Sequence, residues 1–191
     1  MCVCRDLFPS SRCLFMYRDV VTVAKSYYRL SKTSPGLRVR YLCGSVDFIK
    51  SIADYLGVDL SVLCTPMCSH NDLIFGVLLS AVSIALYLDL RRRGFDVSAL
   101  RYEDLVARPL DMCRVVLEFC HLPVSLAELA VKAFDVDSQA NSKIAKSAIG
   151  HFKEPQLTPQ IKTKLNEILR KCGDVPLIGE PCIIEGTLSC Y

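Results

Sequence analysis

The chain has 191 residues, of which 51% are hydrophobic and 23% are charged, and its formal net charge is +3. These values are typical of one soluble globular domain with enough chain to bury a core. A net charge this small gives no reason to expect a nucleic-acid partner. The basic residues are also spread along the chain, apart from residues 91–93.

The eleven cysteines form a high and odd count with irregular spacings. A chain of this length does not need disulfide bonds for stability, so we predict free, buried thiols in a reducing compartment. The N-terminus lacks a basic-then-apolar signal pattern, because Arg5, Asp6 and Arg12 interrupt it. A cytoplasmic location is therefore favoured.

Cys13 to Tyr17 is a short, continuously apolar run that predicts a strand buried on both faces, as in a parallel sheet. Asp19 is a good N-cap for a helix from Val20 to about Leu30. Arg18 stands between the two elements, where ligands of α/β proteins bind and where helix N-termini attract anions. This position favours a phosphate ligand. The alternative is an arginine that marks the exit of the strand into solvent.

The middle of the chain is predicted to be helical, with one helix from Ser45 to Leu56 that ends at Gly57 and a longer helix from Asp72 to Arg93. Within the second helix, the apolar run Leu73 to Leu88 mimics a membrane span. It covers sixteen residues and contains two serines, whereas a span needs about 20 residues. We therefore predict a central helix buried in protein and no membrane association; the alternative is a small membrane-associated protein that uses Leu73 to Leu88.

Five later features complete the predicted fold. They are a strand from Val97 to Arg101, a helix start at Pro109, a Ser125–Glu128 capping box for a helix from Leu126 to Phe134, a polar loop from Asp137 to Lys153, and a last helix opened by Thr158 and ended by Gly173. The acidic pair Glu103–Asp104 is interpreted as helix capping. No clear element follows Pro176. Two strands that each precede a helix indicate an α/β fold, with too few strands for a complete sheet.

The sequence offers little support for a metal site or for a catalytic nucleophile. Cys64, Cys68 and His70 are spaced as the first half of a zinc site, but no matching second half follows. His121 and His151 are isolated, so no serine or cysteine nucleophile can be paired with a histidine base. We predict no metal.

Three segments in series carry a resemblance to a known family. They are FMYRDVVTVAKSYYRL, ALRYEDLVARPLDMCRVVLEFCHLP and HFKEPQLTPQIKTKLNEIL. Together they resemble sulfotransferases that use 3′-phosphoadenosine 5′-phosphosulfate (PAPS), and their order and spacing agree over Arg12 to Leu177.

The resemblance implies a three-layer α/β/α fold of the P-loop NTPase-like sulfotransferase type, incomplete at its N-terminus. Residues 1–178 would form the C-terminal part of the domain, and residues 179–191 a tail. The complete form would transfer a sulfonyl group from PAPS, its nucleotide cosubstrate, to an unknown hydroxyl or amine acceptor.

The resemblance also implies binding residues for the nucleotide. Arg18 and Ser26 keep the spacing of the arginine and serine that bind the 3′-phosphate. Tyr102 matches a position that contacts adenine, the alternative being a core tyrosine. Lys146 falls near the family's Arg-Lys-Gly phosphate clamp, although its neighbours are Ala and Ser. Lys143 would compensate for the missing arginine, and a solvated loop lysine is the alternative for Lys146.

The sequence departs from the family at the catalytic end of the site. The glycine-rich loop that wraps the 5′-phosphosulfate is absent, and no histidine base precedes Arg18. We therefore expect the C-terminal part of a sulfotransferase domain that is inactive alone, as a gene-model fragment, a truncated isoform or a decayed paralogue. The alternative is a non-catalytic binding or interaction protein on a truncated fold. A Golgi location is an expectation only if a membrane anchor lies upstream.

Overall fold

The structure, a computed structural model, describes residues 11–33, 47, 50–55, 57, 71–136 and 153–190. The two strands in these ranges are β1 (Cys13–Tyr17) and β2 (Val97–Arg101). The helices are α1 (Val20–Thr33), α2 (Asn71–Arg92), α3 (Tyr102–Ala107), α4 (Pro109–Phe119), α5 (Ala127–Val131) and α6 (Pro159–Lys171). Short 3₁₀ turns at Val124–Leu126 and Lys132–Asp135 flank α5.

The sheet is small and parallel. β1 pairs with β2 in a register that runs from Cys13 opposite Val97 to Tyr17 opposite Arg101. Each strand leads directly into helix, so the carboxyl ends of both strands meet at one edge. Both predicted strands are confirmed, as is the general α/β class.

The prediction that β1 is buried on both faces is wrong. Tyr17 is buried and the ring of Phe15 stacks on Tyr87 of α2 at a centroid distance of 4.8 Å, but Met16 on the opposite face is 55% exposed. A continuous apolar run does not reveal which face is covered. In the described part of the chain, α2 covers one face and β1 pairs with β2 only.

Helix α2 forms the centre of the core. Leu73, Val77, Ala81 and Val82 are fully buried, and 72% of its most apolar stretch lies inside the protein. The helix is long and apolar enough to cross a membrane by length and composition. Its burial confirms the prediction of a central helix, whereas the absence of membrane association remains a prediction.

Two helix starts follow from their N-cap residues. The Asp19 carboxylate accepts a hydrogen bond from the backbone N–H of Thr22 at 2.9 Å, which confirms the predicted cap of α1. The Thr158 hydroxyl accepts one from the N–H of Ile161 at 3.4 Å and opens α6. In both cases a polar side chain satisfies an N–H that lacks a partner within the helix.

The predicted capping box at Ser125 and Glu128 is wrong. A 3₁₀ turn begins directly after Pro123, and the N–H of Leu126 donates to the carbonyl of Pro123 at 3.0 Å. α5 then begins at Ala127 without a side-chain cap. The predicted single helix from Leu126 to Phe134 is therefore a short α-helix between two 3₁₀ turns.

Glycines follow three helices as predicted, and one of them is Gly173, which has a φ of 86° two residues after the end of α6. Gly94 has a φ of 79°, and its N–H donates to the carbonyl of Arg91 at 2.8 Å, one residue before the end of α2. Gly57 has a φ of 68° after helical residues at 47 and 50–55. The remaining residues of the predicted helix from Ser45 to Leu56 lie outside the described ranges.

Residues 177–190 contain no helix or strand, yet they pack on the core. Cys182 and Ile184 are buried, and the backbone on either side of Thr187 hydrogen-bonds to both polar groups of Ala99 in β2. The Tyr17 hydroxyl lies 2.9 Å from the Thr187 hydroxyl. These contacts join the segment to both strands.

Candidate functional site

The candidate site lies at the edge where both strands end. Arg18 follows β1 and Tyr102 follows β2, and the register places the last strand residues, Tyr17 and Arg101, opposite each other. Arg18 and Tyr102 are consequently neighbours. This arrangement confirms the predicted position of Arg18 at the carboxyl end of a strand.

The guanidinium group of Arg18 lies over the ring of Tyr102, with 4.3 Å between its central carbon and the ring centroid. This is a cation–π contact between two residues that the sequence analysis had singled out separately. The Arg18 side chain is 39% exposed. Among the described residues, its two terminal nitrogens have no hydrogen-bond partner.

Glu103 places its carboxylate near the Nε atom of Arg18. One oxygen accepts a hydrogen bond from the N–H of Asp19 at 3.1 Å and lies 3.9 Å from Arg18 Nε. The other oxygen lies 3.7 Å from Arg101 Nε. Neither arginine contact is short enough for a hydrogen bond.

The interpretation of Glu103 and Asp104 as helix-capping residues is wrong, because α3 has no side-chain cap. Asp104 accepts a hydrogen bond from Arg101 at 3.4 Å, and Glu103 faces Arg18 and Arg101. Sequence analysis missed this role of Glu103. The available signal was its position in the first turn of α3, two residues after the strand that pairs with β1.

The charges at the edge set how an anion can approach. Two arginines and three carboxylates meet there, with a formal net charge of −1. The N-terminus of α1 is already occupied, because Asp19 accepts from its first turn and Glu103 accepts from Asp19. An anion would therefore bind at the outer nitrogens of Arg18 rather than at the helix terminus.

Ser26 lies on α1, half-buried, nearly two helical turns beyond Asp19. Among the described residues, Arg18 has its cation–π contact with Tyr102 and its ion pair with Glu103, and neither contact involves Ser26. A phosphate shared by both would require the Arg18 side chain to extend along α1. Lys143 and Lys146 lie outside the described residues.

A second charged cluster lies on α1 beside Ser26. One oxygen of Glu154 lies 2.9 Å from Lys25 Nζ, and the other lies 3.3 Å from a terminal nitrogen of Arg29. The hydrogen bond from Lys25 lowers the pKa of Glu154. Sequence analysis missed this cluster, although Lys25 and Arg29 stand four residues apart on one helix face.

The six described cysteines are free thiols, of which three are buried, one is half-buried and two are exposed. Cys13 and Cys120 are exposed, whereas burial raises the pKa of Cys172 and of Cys182 to about 11. Residues 11–33, 71–136 and 153–190 contain no group of three or more metal-ligating side chains. The candidate half-site at residues 64–70 lies outside the described ranges, so the absence of metal stays a prediction.

Comparison of the chain with protein-family models, with curated proteins and with solved structures found no match. The resemblance to PAPS-dependent sulfotransferases consequently rests on the three sequence segments alone. Two of those segments, around Arg18 and around Tyr102, contribute the residues that meet at the edge of the sheet.

Proposed function

We propose that this chain binds a 3′-phosphorylated adenosine nucleotide at the carboxyl ends of β1 and β2, as the nucleotide-binding part of a sulfotransferase-type domain. In the proposal, Arg18 and Ser26 bind the 3′-phosphate of PAPS or of its product. The complete form would transfer the sulfonyl group in line to a hydroxyl or amine acceptor.

The observation that carries this proposal is the placement of Arg18. It follows a parallel strand directly, its guanidinium rests on Tyr102, and 39% of its side chain is exposed. A planar guanidinium held in this way offers two parallel N–H donors to a phosphate. Because the ring and Glu103 already orient the side chain, less conformational entropy is lost on binding.

Tyr102 has a supporting role in this proposal. One face of its ring is covered by Arg18, so the ring first of all positions that arginine. An adenine ring would contact the remaining face or the edge of Tyr102. The phenol is half-buried, which leaves part of it accessible to a ligand.

The proposal for this chain alone is binding without turnover. None of the assigned residues removes a proton from an acceptor or contacts the transferring sulfonyl group. In-line transfer requires both a base and cationic donors at the leaving phosphate. The residues assigned in this proposal would supply donors for the 3′-phosphate end only.

A second candidate is a non-catalytic interaction protein on the same fold. Six large apolar side chains are exposed within a short stretch, which is typical of an interaction surface. They are Leu122, Val124, Leu126, Leu129, Phe134 and Val136. Loss of a partner complex on polar substitution of these residues, with no nucleotide binding by the wild type, would favour this candidate.

Calorimetric titration with adenosine 3′,5′-bisphosphate tests the leading proposal. A charge-assisted contact contributes about 1.5–3 kcal/mol, so we expect wild-type affinity in the high micromolar to millimolar range. Arg18→Ala should weaken binding by at least about tenfold. Arg114→Ala, which removes an arginine that is 49% exposed on α4, is the matched control and should bind as the wild type does.

Adenosine 5′-monophosphate separates phosphate recognition from binding of the base. It lacks the 3′-phosphate, so it should bind more weakly and respond little to Arg18→Ala. Equal binding of the bisphosphate by the wild type and Arg18→Ala would remove Arg18 from the site. Turnover of PAPS by the wild-type chain would contradict the statement that it binds without catalysis.

A further inference from the structure

The side of α1 that carries Ser26 also carries two cations and faces a carboxylate from another part of the chain. Lys25 and Arg29 stand four residues apart, and Ser26 stands three residues before Arg29, so the three side chains share one patch. Glu154 reaches this patch from the segment before α6 and places one oxygen against each cation.

The patch has the features of an anion site that is occupied by an internal carboxylate. Lys25 and Arg29 bring two positive charges beside a hydroxyl group, and Glu154 neutralises only one of them. The Nε atom of Arg29 is buried and has no hydrogen-bond partner. The cations remain accessible, since the Lys25 and Arg29 side chains are 31% and 27% exposed.

We propose that Lys25, Ser26 and Arg29 form a phosphate subsite, and that Glu154 fills this subsite until a nucleotide phosphate displaces it. The inference rests on the proposed function and assigns to the same site two cations that the resemblance does not supply. No covalent step is involved. The ligand class is the phosphate monoester of an adenosine nucleotide.

Displacement of Glu154 is favourable for reasons of charge and exposure. A phosphate monoester brings up to two negative charges and three acceptor oxygens, whereas the carboxylate brings one charge and two oxygens. The Glu154 side chain is 46% exposed, so it can move into water without losing a buried environment. Exposed ion pairs of this kind are weak, which lets a ligand compete with them.

The test compares Glu154→Gln with wild type by titration of adenosine 3′,5′-bisphosphate at low salt. Removal of the competing charge should tighten binding about three- to tenfold. Glu167→Gln, at an exposed glutamate of α6, changes the net charge equally and should alter the affinity less than about twofold. Adding Lys25→Ala to Glu154→Gln should abolish the gain, because the cation freed by the first substitution is lost.

The outcomes separate this inference from the proposed function. Tighter binding by Glu154→Gln that depends on Lys25 supports the subsite, even if wild-type binding is too weak to detect. Unchanged or weaker binding by Glu154→Gln, with dependence on Arg18 intact, overturns the subsite and leaves the proposed function in place. If neither wild type nor Glu154→Gln binds the bisphosphate, both proposals are overturned.

Discussion

Gly76 is the position where α2 approaches the backbone of α1. A Cβ atom added at this buried glycine would lie 2.7 Å from the Cα of Ala24 and 3.1 Å from the Cβ of Tyr27. The first of these neighbours is a backbone atom, which cannot rotate away. We predict that Gly76→Ala pushes α1 and α2 apart and lowers the free energy of unfolding.

Two opposing effects set the size of the loss. Alanine is favoured over glycine in a helix interior by about 1 kcal/mol. Overpacking of a dense core costs about 1–3 kcal/mol, and the contact between Gly76 and the Ala24 backbone places this substitution at the upper end. The expected net loss is about 1–2 kcal/mol, which lowers the melting temperature by about 2–8 °C in a chain of this size.

Urea unfolding followed by circular dichroism measures this loss. With a slope near 2 kcal/mol per molar urea, the midpoint should fall by about 0.5–1 M. Ser80→Ala is the control, because it lies one turn further along α2 at a half-buried position and adds no atom to the helix contact. It should change stability by less than about 0.5 kcal/mol. An increase in stability on Gly76→Ala would refute the close approach of the two helices.

Three further predictions follow from individual contacts. Tyr17→Phe removes a hydroxyl that lies 2.9 Å from the Thr187 hydroxyl. Calorimetry should show that the free energy of unfolding falls by about 1–3 kcal/mol. An unchanged stability would mean that other contacts hold the C-terminal segment. The pKa of Glu154 is lowered below its ordinary value of 4.5, so its contribution to stability is present above that value and is lost as the pH falls through the lower pKa of the folded state. Urea titrations of wild type and Glu154→Gln should therefore differ at about pH 6.5 and converge at about pH 2.5, and a difference that persists in acid would contradict this pairing. Because burial raises the pKa of Cys172 to about 11, alkylation of the native chain followed by mass spectrometry should modify exposed Cys120 first, and equal rates would disprove the burial of Cys172.

Local signals in the sequence located most of the elements, although α1 runs to Thr33 rather than to about Leu30. The apolar run of β1, the Asp19 cap, Gly94 and the Thr158–Pro159 start each act within a few residues, and the structure places element boundaries within two residues of them. The capping box at Ser125 failed because the turn that follows Pro123 competes for the same backbone groups. Even there, the error concerned the type of helix and its length.

The composition of the site was harder to predict, because its partners are distant in the chain. Glu103 accepts from Asp19 across 84 residues, and Glu154 reaches α1 from a segment beyond α5. Spacing along a sequence carries no information about such pairs until the register of the strands is known. The resemblance identified Arg18 and Tyr102 as candidate site residues. It did not indicate that the guanidinium group of Arg18 lies over the ring of Tyr102.

The two carboxylates that face cations in this region differ in a way that decides how a phosphate would bind. Glu103 is 28% exposed and is held by the backbone N–H of Asp19, whereas Glu154 is 46% exposed and contacts its cations through side-chain atoms alone. Displacing Glu103 would leave the N–H of Asp19 without its acceptor, and displacing Glu154 would cost only exposed ion pairs. A ligand should therefore leave Glu103 in place behind Arg18, use the outer nitrogens of that arginine, and exchange with Glu154 further along α1.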